Sequence, residues 1–251
     1  MNVRFDDKVV VVTGAAGGLG RRFVEDFLAA GARVFCCDRN AAGLYVVKAK
    51  GAETAVVDLT DRVAAQAWIA SIEDGAAGAV DVLVNNAGGA GPAARRLIED
   101  VPYAEWDTLM AINPGITFTL TKAVVPAMKR AGRGRIVNIS SGAGIAASRA
   151  LIHPYTAAKH AVVGLTRQTA EELGQFGITV NSVAPGFVIS GPRLQAYWDA
   201  EPHEAQRAHL ATTFMRRVGR ADDVSNAVLF LASEYASFIT GQVISVNGGL
   251  R

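Results

Sequence analysis

Short uninterrupted apolar runs alternate along the chain with longer stretches in which apolar residues recur every three or four positions. The run at 8–13 (KVVVVT) predicts a strand, and 19–30, closed by Gly31, predicts the helix that follows it. Further strands are predicted at 32–37 (ARVFCC), 54–57 (TAVV), 80–84 (VDVLV), 135–139 (RIVNI), 178–183 (ITVNSV) and 242–246 (QVISV). Helices are predicted at 62–72, over a long stretch near 104–130, at 154–176 with Pro154 in its first turn, and at 222–233 with an acidic start. Continuous Val/Ile runs between helices imply a parallel sheet covered on both faces, with right-handed crossovers. The one long irregular stretch, about 186–220, holds Gly186, Gly191, Pro192, Pro202 and Gly219 with the aromatics Phe187, Tyr197, Trp198 and Phe214. A loop of that length in a compact domain is usually functional, so a substrate lid is expected at about 187–215.

Composition narrows the class. The chain has 251 residues, 50% hydrophobic and 19% charged, with no repeat or linker, which predicts a single domain over 1–251. A net charge of +2 argues against nucleic acid or an anionic membrane as partner, and the Arg pairs at 21–22, 95–96 and 216–217 are scattered, solvated faces. No apolar run approaches the ~18 residues needed to span a bilayer. The start, MNVRFDDKVVVVTG, has no small-residue cleavage site and does not read as a signal peptide. Cys36 and Cys37 are strand neighbours pointing to opposite faces, poor partners for a disulfide or a metal, which fits a reducing compartment. The expectation is a soluble, cytoplasmic protein. His153, His160, His203 and His209 show no spacing with acids that suggests a metal site.

Two constellations carry chemistry. After the first strand comes TGAAGGLG at 13–20, with Gly14, Gly18 and Gly20 spaced G-x-x-x-G-x-G. Glycines there permit a tight turn and close approach of a pyrophosphate, and the next helix offers free N–H groups and its positive dipole end. Asp38 ends the second strand, where an acid accepts hydrogen bonds from both ribose hydroxyls of an adenosine and repels a 2′-phosphate, arguing for NAD over NADP. Arg39 softens that preference by offering a charge to a phosphate. Asp58 either contacts the adenine or caps the helix beginning near Thr60. The second constellation is Tyr155 and Lys159, four residues apart and so on one helical face, with Ser140 and Ser141 upstream. A nearby ammonium lowers the pKa of a phenol, which makes Tyr155 a candidate proton donor and acceptor.

With these residues in place the chain resembles the short-chain dehydrogenases/reductases from its first strand to its last. The resemblance rests on TGAAGGLG, Asp38, Asp58, the NNAG run at 85–88, Asn113, the Ser141/Tyr155/Lys159 set, Asn181, Pro185-Gly186 and the VNGG run at 246–249. It implies a Rossmann-like, doubly wound α/β domain with a seven-stranded parallel sheet. It also implies hydride transfer between NAD(P) and an alcohol or ketone, in a homotetramer or homodimer built on the two long helices. By the same resemblance Tyr155 is the base, or the acid in reverse; Lys159 also holds the nicotinamide ribose; and Ser141, rather than the alternative Ser140, holds the substrate oxygen. Asn113 bends the long helix and exposes a backbone carbonyl to a water on the lysine, with Pro114 reinforcing the bend or, alternatively, breaking two separate helices. The implied cofactor-binding set is Gly14, Gly18, Leu19, Gly20, Asp38, Asp58, Leu59, Asn86, Ala87, Gly88, Tyr155, Lys159, Pro185, Gly186, Val188 and Ser190.

The substrate is the least legible part. The expected pocket includes Arg149, His153 and Arg193, and the two arginines are placed to clamp a carboxylate, phosphate or sulfonate, which admits anionic hydroxy compounds among the alcohol and ketone substrates. The expectation is therefore an NAD-dependent alcohol dehydrogenase or ketoreductase. An NADP-dependent carbonyl reductase is the alternative within that class, and a catalytically silent NAD-binding interaction protein the alternative outside it.

Overall fold

A computed structural model describes residues 3–76, 78–91, 95–148 and 150–249. In chain order the elements are β1 (Val9–Thr13), α1 (Gly18–Ala29), β2 (Arg33–Asp38), α2 (Ala41–Lys48), β3 (Glu53–Val56), α3 (Arg62–Ala76) and β4 (Val82–Asn85). There follow α4 (Tyr103–Met110), α5 (Ile116–Ala131), β5 (Gly134–Ile139), α6 (His153–Leu173), β6 (Ile178–Pro185) and β7 (Val188–Ile189). The chain closes with α7 (Pro192–Ala200), α8 (His203–Ala211), β8 (Gly219–Arg220), α9 (Ala221–Ala232) and β9 (Val243–Val246).

Seven strands form one sheet in the order β3-β2-β1-β4-β5-β6-β9, every neighbouring pair parallel. Alternating side chains of the same strand enter two separate cores. Val10, Val12 and Cys36 pack with Phe23, Phe27, Val224 and Leu231 of α1 and α9. Val11, Cys37, Leu83 and Ile136 pack on the other face with Ile69, Leu120, Val124 and Leu173 of α3, α5 and α6. The near-continuous Val/Ile runs are therefore explained: the central strands β1, β4, β5 and β6 are buried on both sides, while the edge strands β3 and β9 are part-exposed. Cys36 and Cys37 lie on opposite faces and are free; burial pushes the Cys36 thiol up to about 12 and raises Cys37 as well, so neither is a reactive thiolate.

The winding reverses between β1 and β4, which pair directly although α1, β2, α2, β3 and α3 separate them in sequence. At such a point the crossover helices leave to opposite faces and open a crevice at the carboxyl ends of the strands.

The stretch 186–220 is not the irregular loop expected. It contains α7 and α8, and a two-stranded parallel sheet closes its stem, pairing Val188 with Gly219 and Ile189 with Arg220. Phe214 and Met215 donate their amides to the Gly249 and Gly248 carbonyls at 2.9 and 3.0 Å, and Arg217 grips Asp223 with two contacts of 2.6 and 2.8 Å. The unit at 187–215 is thus a helical hairpin on a fastened stem. Among the described residues no helix is long and apolar enough to cross a membrane.

Candidate active site

The crevice at the β1/β4 reversal is a cleft of ≈ 230 Å3 lined by Gly14, Asp38, Asp58, Leu59, Ala87 and Gly88 among others. Gly14, Ala87 and Gly88 leave part of its wall close to bare backbone. Gly14 sits at φ +69, a left-handed conformation that glycine adopts without strain. A Cβ at Gly20 would strike the Gly14 carbonyl and the Asn86 amide, so the helix can approach the strand only without one. Asn86 Nδ2 donates to the carbonyls of Thr13 (2.8 Å) and Gly14 (3.1 Å), and Thr13 Oγ1 accepts from the amides of Asn86 (3.1 Å) and Ala87 (3.0 Å). The ends of β1 and β4 are thereby stitched into one rim. α1 opens behind Gly17 with no side-chain cap on its first N–H groups, four residues on from Gly14 in the cleft wall, and the half-buried Leu19 begins its apolar face. A nearly bare wall and an uncapped helix start fit a dinucleotide pyrophosphate.

Asp38 stands at the end of β2, its carboxylate accepting from the amides of Ala16 (3.1 Å) and Asn40 (2.9 Å), and the exposed Arg39 lines the same cleft. Asp58 does not cap α3. Its Oδ1 accepts from the Thr60 amide (2.9 Å) and hydroxyl (2.7 Å), and these bonds hold its carboxyl below the usual range. The cap is Asp61, which takes the amides of Val63 and Ala64, so that half of the sequence reading is corrected. Leu59 is buried beneath.

One strand along, the carboxyl end of β5 carries Ser140 and Ser141, and the geometry separates them. Ser140 is buried and donates to the Val183 carbonyl (3.1 Å) while accepting from the Ser182 hydroxyl (2.7 Å). Ser141 turns outward, where its oxygen accepts from the Ala143 amide (3.2 Å) and it hydrogen-bonds the Tyr155 hydroxyl. Tyr155 lies in the first turn of α6, with Lys159 one turn on and buried. Lys159 Nζ donates to the Ile139 carbonyl at 2.9 Å and lies 5.7 Å from the centre of the Tyr155 ring.

The expected electrostatics are overturned here. Burial pushes the Tyr155 hydroxyl above its ordinary value, and only the Ser141 bond pulls it down. Burial also pushes Lys159 down to about 8. The cause is shared: each charged form has lost its water, and the ammonium is tied to a backbone carbonyl rather than to the phenol oxygen.

α4 and α5 are continuous through a π-helical turn, Ala111–Gly115, not two separate helices. A π turn widens the helix by a residue and Pro114 has no N–H to orphan there. Asn113 is buried and braces the rim of the cleft: Nδ2 donates to the carbonyls of Gly89 (3.1 Å) and Leu109 (3.0 Å), and Oδ1 accepts from the Gly89 amide (2.9 Å). Its own carbonyl, expected to face a lysine-bound water, accepts from the Thr117 hydroxyl at 3.0 Å.

Pro185 ends β6, and the Gly186 amide donates to Val246 (3.0 Å). Val188 is buried in β7, and Ser190 Oγ stands over Gly18, 3.3 Å from where a Cβ would be. His153 is half-buried at the start of α6, Arg193 is exposed on α7, and Arg149 lies outside the described residues. His209, set aside in the sequence as a stray histidine, lies against Phe187 and Trp198 in the α7–α8 hairpin; helical spacing within α7 and α8 gives no signal for it. Among the described residues no cluster of three or more His, Cys, Asp or Glu can hold a metal ion.

A family model described as enoyl-(acyl carrier protein) reductase matches residues 14–251. The chain is 37% identical over 249 residues to (2S)-((R)-hydroxy(phenyl)methyl)succinyl-CoA dehydrogenase subunit BbsD of Thauera aromatica, covering 97% of this chain and 96% of that one. It is 34% identical over 251 residues to the 3-oxoacyl-(acyl-carrier-protein) reductase FabG of Escherichia coli, covering 99% of both. Among solved structures, levodione reductase superposes with a TM-score of 0.90 at 32% identity, covering 98% of both chains. A short-chain type dehydrogenase/reductase from Mycobacterium ulcerans superposes with a TM-score of 0.90 at 30% identity, covering 98% of this chain and 90% of that one.

Proposed function

The chain belongs to the short-chain dehydrogenase/reductase family, oxidoreductases of hydroxyl and keto groups that use nicotinamide cofactors, and we propose that it is an NAD-dependent enzyme interconverting a secondary alcohol and its ketone. The observation that carries this reading is the convergence of the Ser141–Tyr155 hydrogen bond and the Lys159 ammonium one strand along from the glycine-lined cleft.

Gly14, Gly18 and Gly20 with the start of α1 hold the pyrophosphate, Asp38 the adenosine ribose, and Asn86, Ala87 and Gly88 the adjoining wall. Pro185, Gly186, Val188 and Ser190 form the far wall. Bound there, the nicotinamide supplies or accepts the hydride. Ser141 positions the substrate oxygen against Tyr155. Burial raises the Tyr155 hydroxyl further above neutrality, and the protonated phenol is set to donate a proton to a ketone oxygen and to take it back in the oxidation direction. Lys159, cationic below about pH 8, offsets the charge left on the phenolate. Asn113 acts through the rim, holding Gly89 in place.

Arg39, exposed on the wall of the same cleft, favours a second reading in which NADP is the partner. Exposed Tyr103, Trp106 and Phe118 on α4 and α5 support assembly as a homotetramer, or a homodimer, through those helices. Calorimetric titration with NADH and NADPH, followed by a panel of alcohols and ketones that includes anionic ones, tests the proposal. Tighter binding of NADPH overturns the cofactor assignment, and cofactor binding without turnover of any compound favours a silent binding protein.

A further inference from the structure

Arg21, expected from the sequence to lie on a solvated face, is half-buried and breaks two local rules at the start of α1. It stands fourth in the helix, in a first turn that holds no acidic residue, where the positive end of the helix disfavours a cation. Its Nε is buried and without a hydrogen-bond partner, a donor that has lost its water and gained nothing in return. What the side chain makes instead is one short bond: Nη2 donates to the Ala16 carbonyl at 2.6 Å. Broken local rules collect where a side chain serves a functional site.

Ala16 is the residue that joins the glycine loop to Asp38. Its amide donates to Asp38 Oδ2 (3.1 Å), while the Asn40 amide, just ahead of α2, donates to Oδ1 (2.9 Å). One carboxylate oxygen is thus fixed by the loop and the other by the approach to α2. Each keeps room for a further donor, because an ionised carboxylate offers about four lone-pair sites. Ala16 itself is held on three sides. Asp38 takes its N–H, Arg21 takes its C=O, and α2 closes on its methyl: a Cβ on Gly43 would lie 2.6 Å from both the Ala16 Cβ and the Ala16 oxygen. Gly14 and Ala15 are anchored separately, both donating to the Cys37 carbonyl (2.9 and 3.1 Å). A change at Arg21 therefore reaches Ala16 and Asp38 with the first part of the loop still fastened.

We propose that Arg21 is a positioning residue for cofactor selection: by holding Ala16 it keeps the Asp38 carboxylate aimed at the adenosine ribose, and so weights the site toward NADH against NADPH. The inference rests on the reading of the cleft as a dinucleotide site with Asp38 at the ribose. Without the guanidinium, Ala16 is free to swing its amide off Oδ2, and Asp38 is left with its tether at Asn40. A looser carboxylate accepts less well from the ribose hydroxyls and yields more readily to a 2′-phosphate. A direct attraction between Arg21 and the pyrophosphate would act differently. Both cofactors carry the pyrophosphate, so loss of that attraction would weaken them alike.

Calorimetric titration of NADH and NADPH into the full-length protein, Arg21→Met, Arg21→Lys, Asp38→Ala and the Arg21→Met/Asp38→Ala double variant tests the proposal, each variant checked for a wild-type circular dichroism spectrum. Arg21→Met is expected to weaken NADH at least about fivefold and NADPH less than about twofold. Arg21→Lys still offers a donor to Ala16 and is expected to recover most of the NADH affinity. With Asp38→Ala already present, Arg21→Met is expected to change NADH affinity by less than about twofold, because the carboxylate it serves is gone. Gly43→Ala presses on Ala16 from the α2 side and is expected to shift the NADH-to-NADPH ratio the same way; alone and with Asp38→Ala, it carries the comparison where Arg21→Met does not fold. Equal weakening of both cofactors, unchanged NADH affinity in Arg21→Met, or its full effect in the Asp38→Ala background overturns the proposal. A wild type that binds NADPH more tightly than NADH overturns the NAD reading, while the change in ratio and its dependence on Asp38 still decide the role of Arg21.

Discussion

Replacing Lys159 by Met isolates the energetic consequence of burying a cation beside the candidate proton donor. Lys159 is 4% exposed and burial lowers its pKa from 10.5 to about 8. Because the folded value lies below the unfolded one, the unfolded chain binds more protons between pH 8 and 10.5, and the wild-type fold gains stability as pH rises through that window. At ~1.36 kcal/mol per pH the gain is about 3 kcal/mol. Lys159→Met has no such group, so its stability relative to wild type is greatest at pH 7 and declines by about 3 kcal/mol toward pH 10. Tyr155, raised by burial, acts in the opposite direction only above its ordinary value, at the upper end of the range. Urea melts of both proteins at one concentration, from pH 7 to pH 10, supply the difference. A wild-type minus variant difference that stays flat across this range would refute the idea that Lys159 is a desolvated cation.

Tyr155→Phe keeps the ring and removes the proton, so kcat is expected to fall by about 10²–10⁴ with cofactor affinity retained, read by steady-state kinetics and titration. Asp38→Ala removes the acceptor of the Ala16 and Asn40 amides; NADH affinity is expected to drop and NADPH affinity to rise, and an unchanged ratio counts against the ribose assignment. Asn113→Ala breaks three hydrogen bonds to Gly89 and Leu109, with an expected loss of about 2–3 kcal/mol in urea melts and weaker cofactor binding from a loosened rim.

The sheet is legible in the sequence because strands buried on both faces are mostly apolar, as the four valines of β1 are, although β5 and β6 also bury Arg135, Asn138, Asn181 and Ser182. α2 escapes notice because Gly43 and two valines interrupt its helical signal; it forms because Asn40 caps it, accepting from the Gly43 amide at 3.1 Å, and Leu44 and Val47 reach the core. α7 and α8 escape for a different reason: neither buries a residue fully, so no apolar stripe marks them. Tyr155 and Lys159 are legible as neighbours from helical spacing alone. Their pKa directions are not, because these depend on how deeply the end of β5 and the start of α6 bury them. Asn113-Pro114 announces a disturbance in a long helix, but whether a proline kinks, breaks or widens it is decided by the partners of Asn113 at Gly89 and Leu109, far away in sequence or a turn behind.

The central claim is that a hydride passes between the cofactor and a carbonyl carbon while Tyr155 handles the proton. Incubating the protein with NADH deuterated on the reactive nicotinamide carbon and with butanone or benzylacetone, then examining the alcohol by mass spectrometry and NMR, tests it directly. The account predicts one deuterium on the carbinol carbon with wild type and a product yield lower by about 10²–10⁴ with Tyr155→Phe. Labelled cofactor that binds yet passes no deuterium to either ketone, or equal transfer by the two proteins, would contradict it.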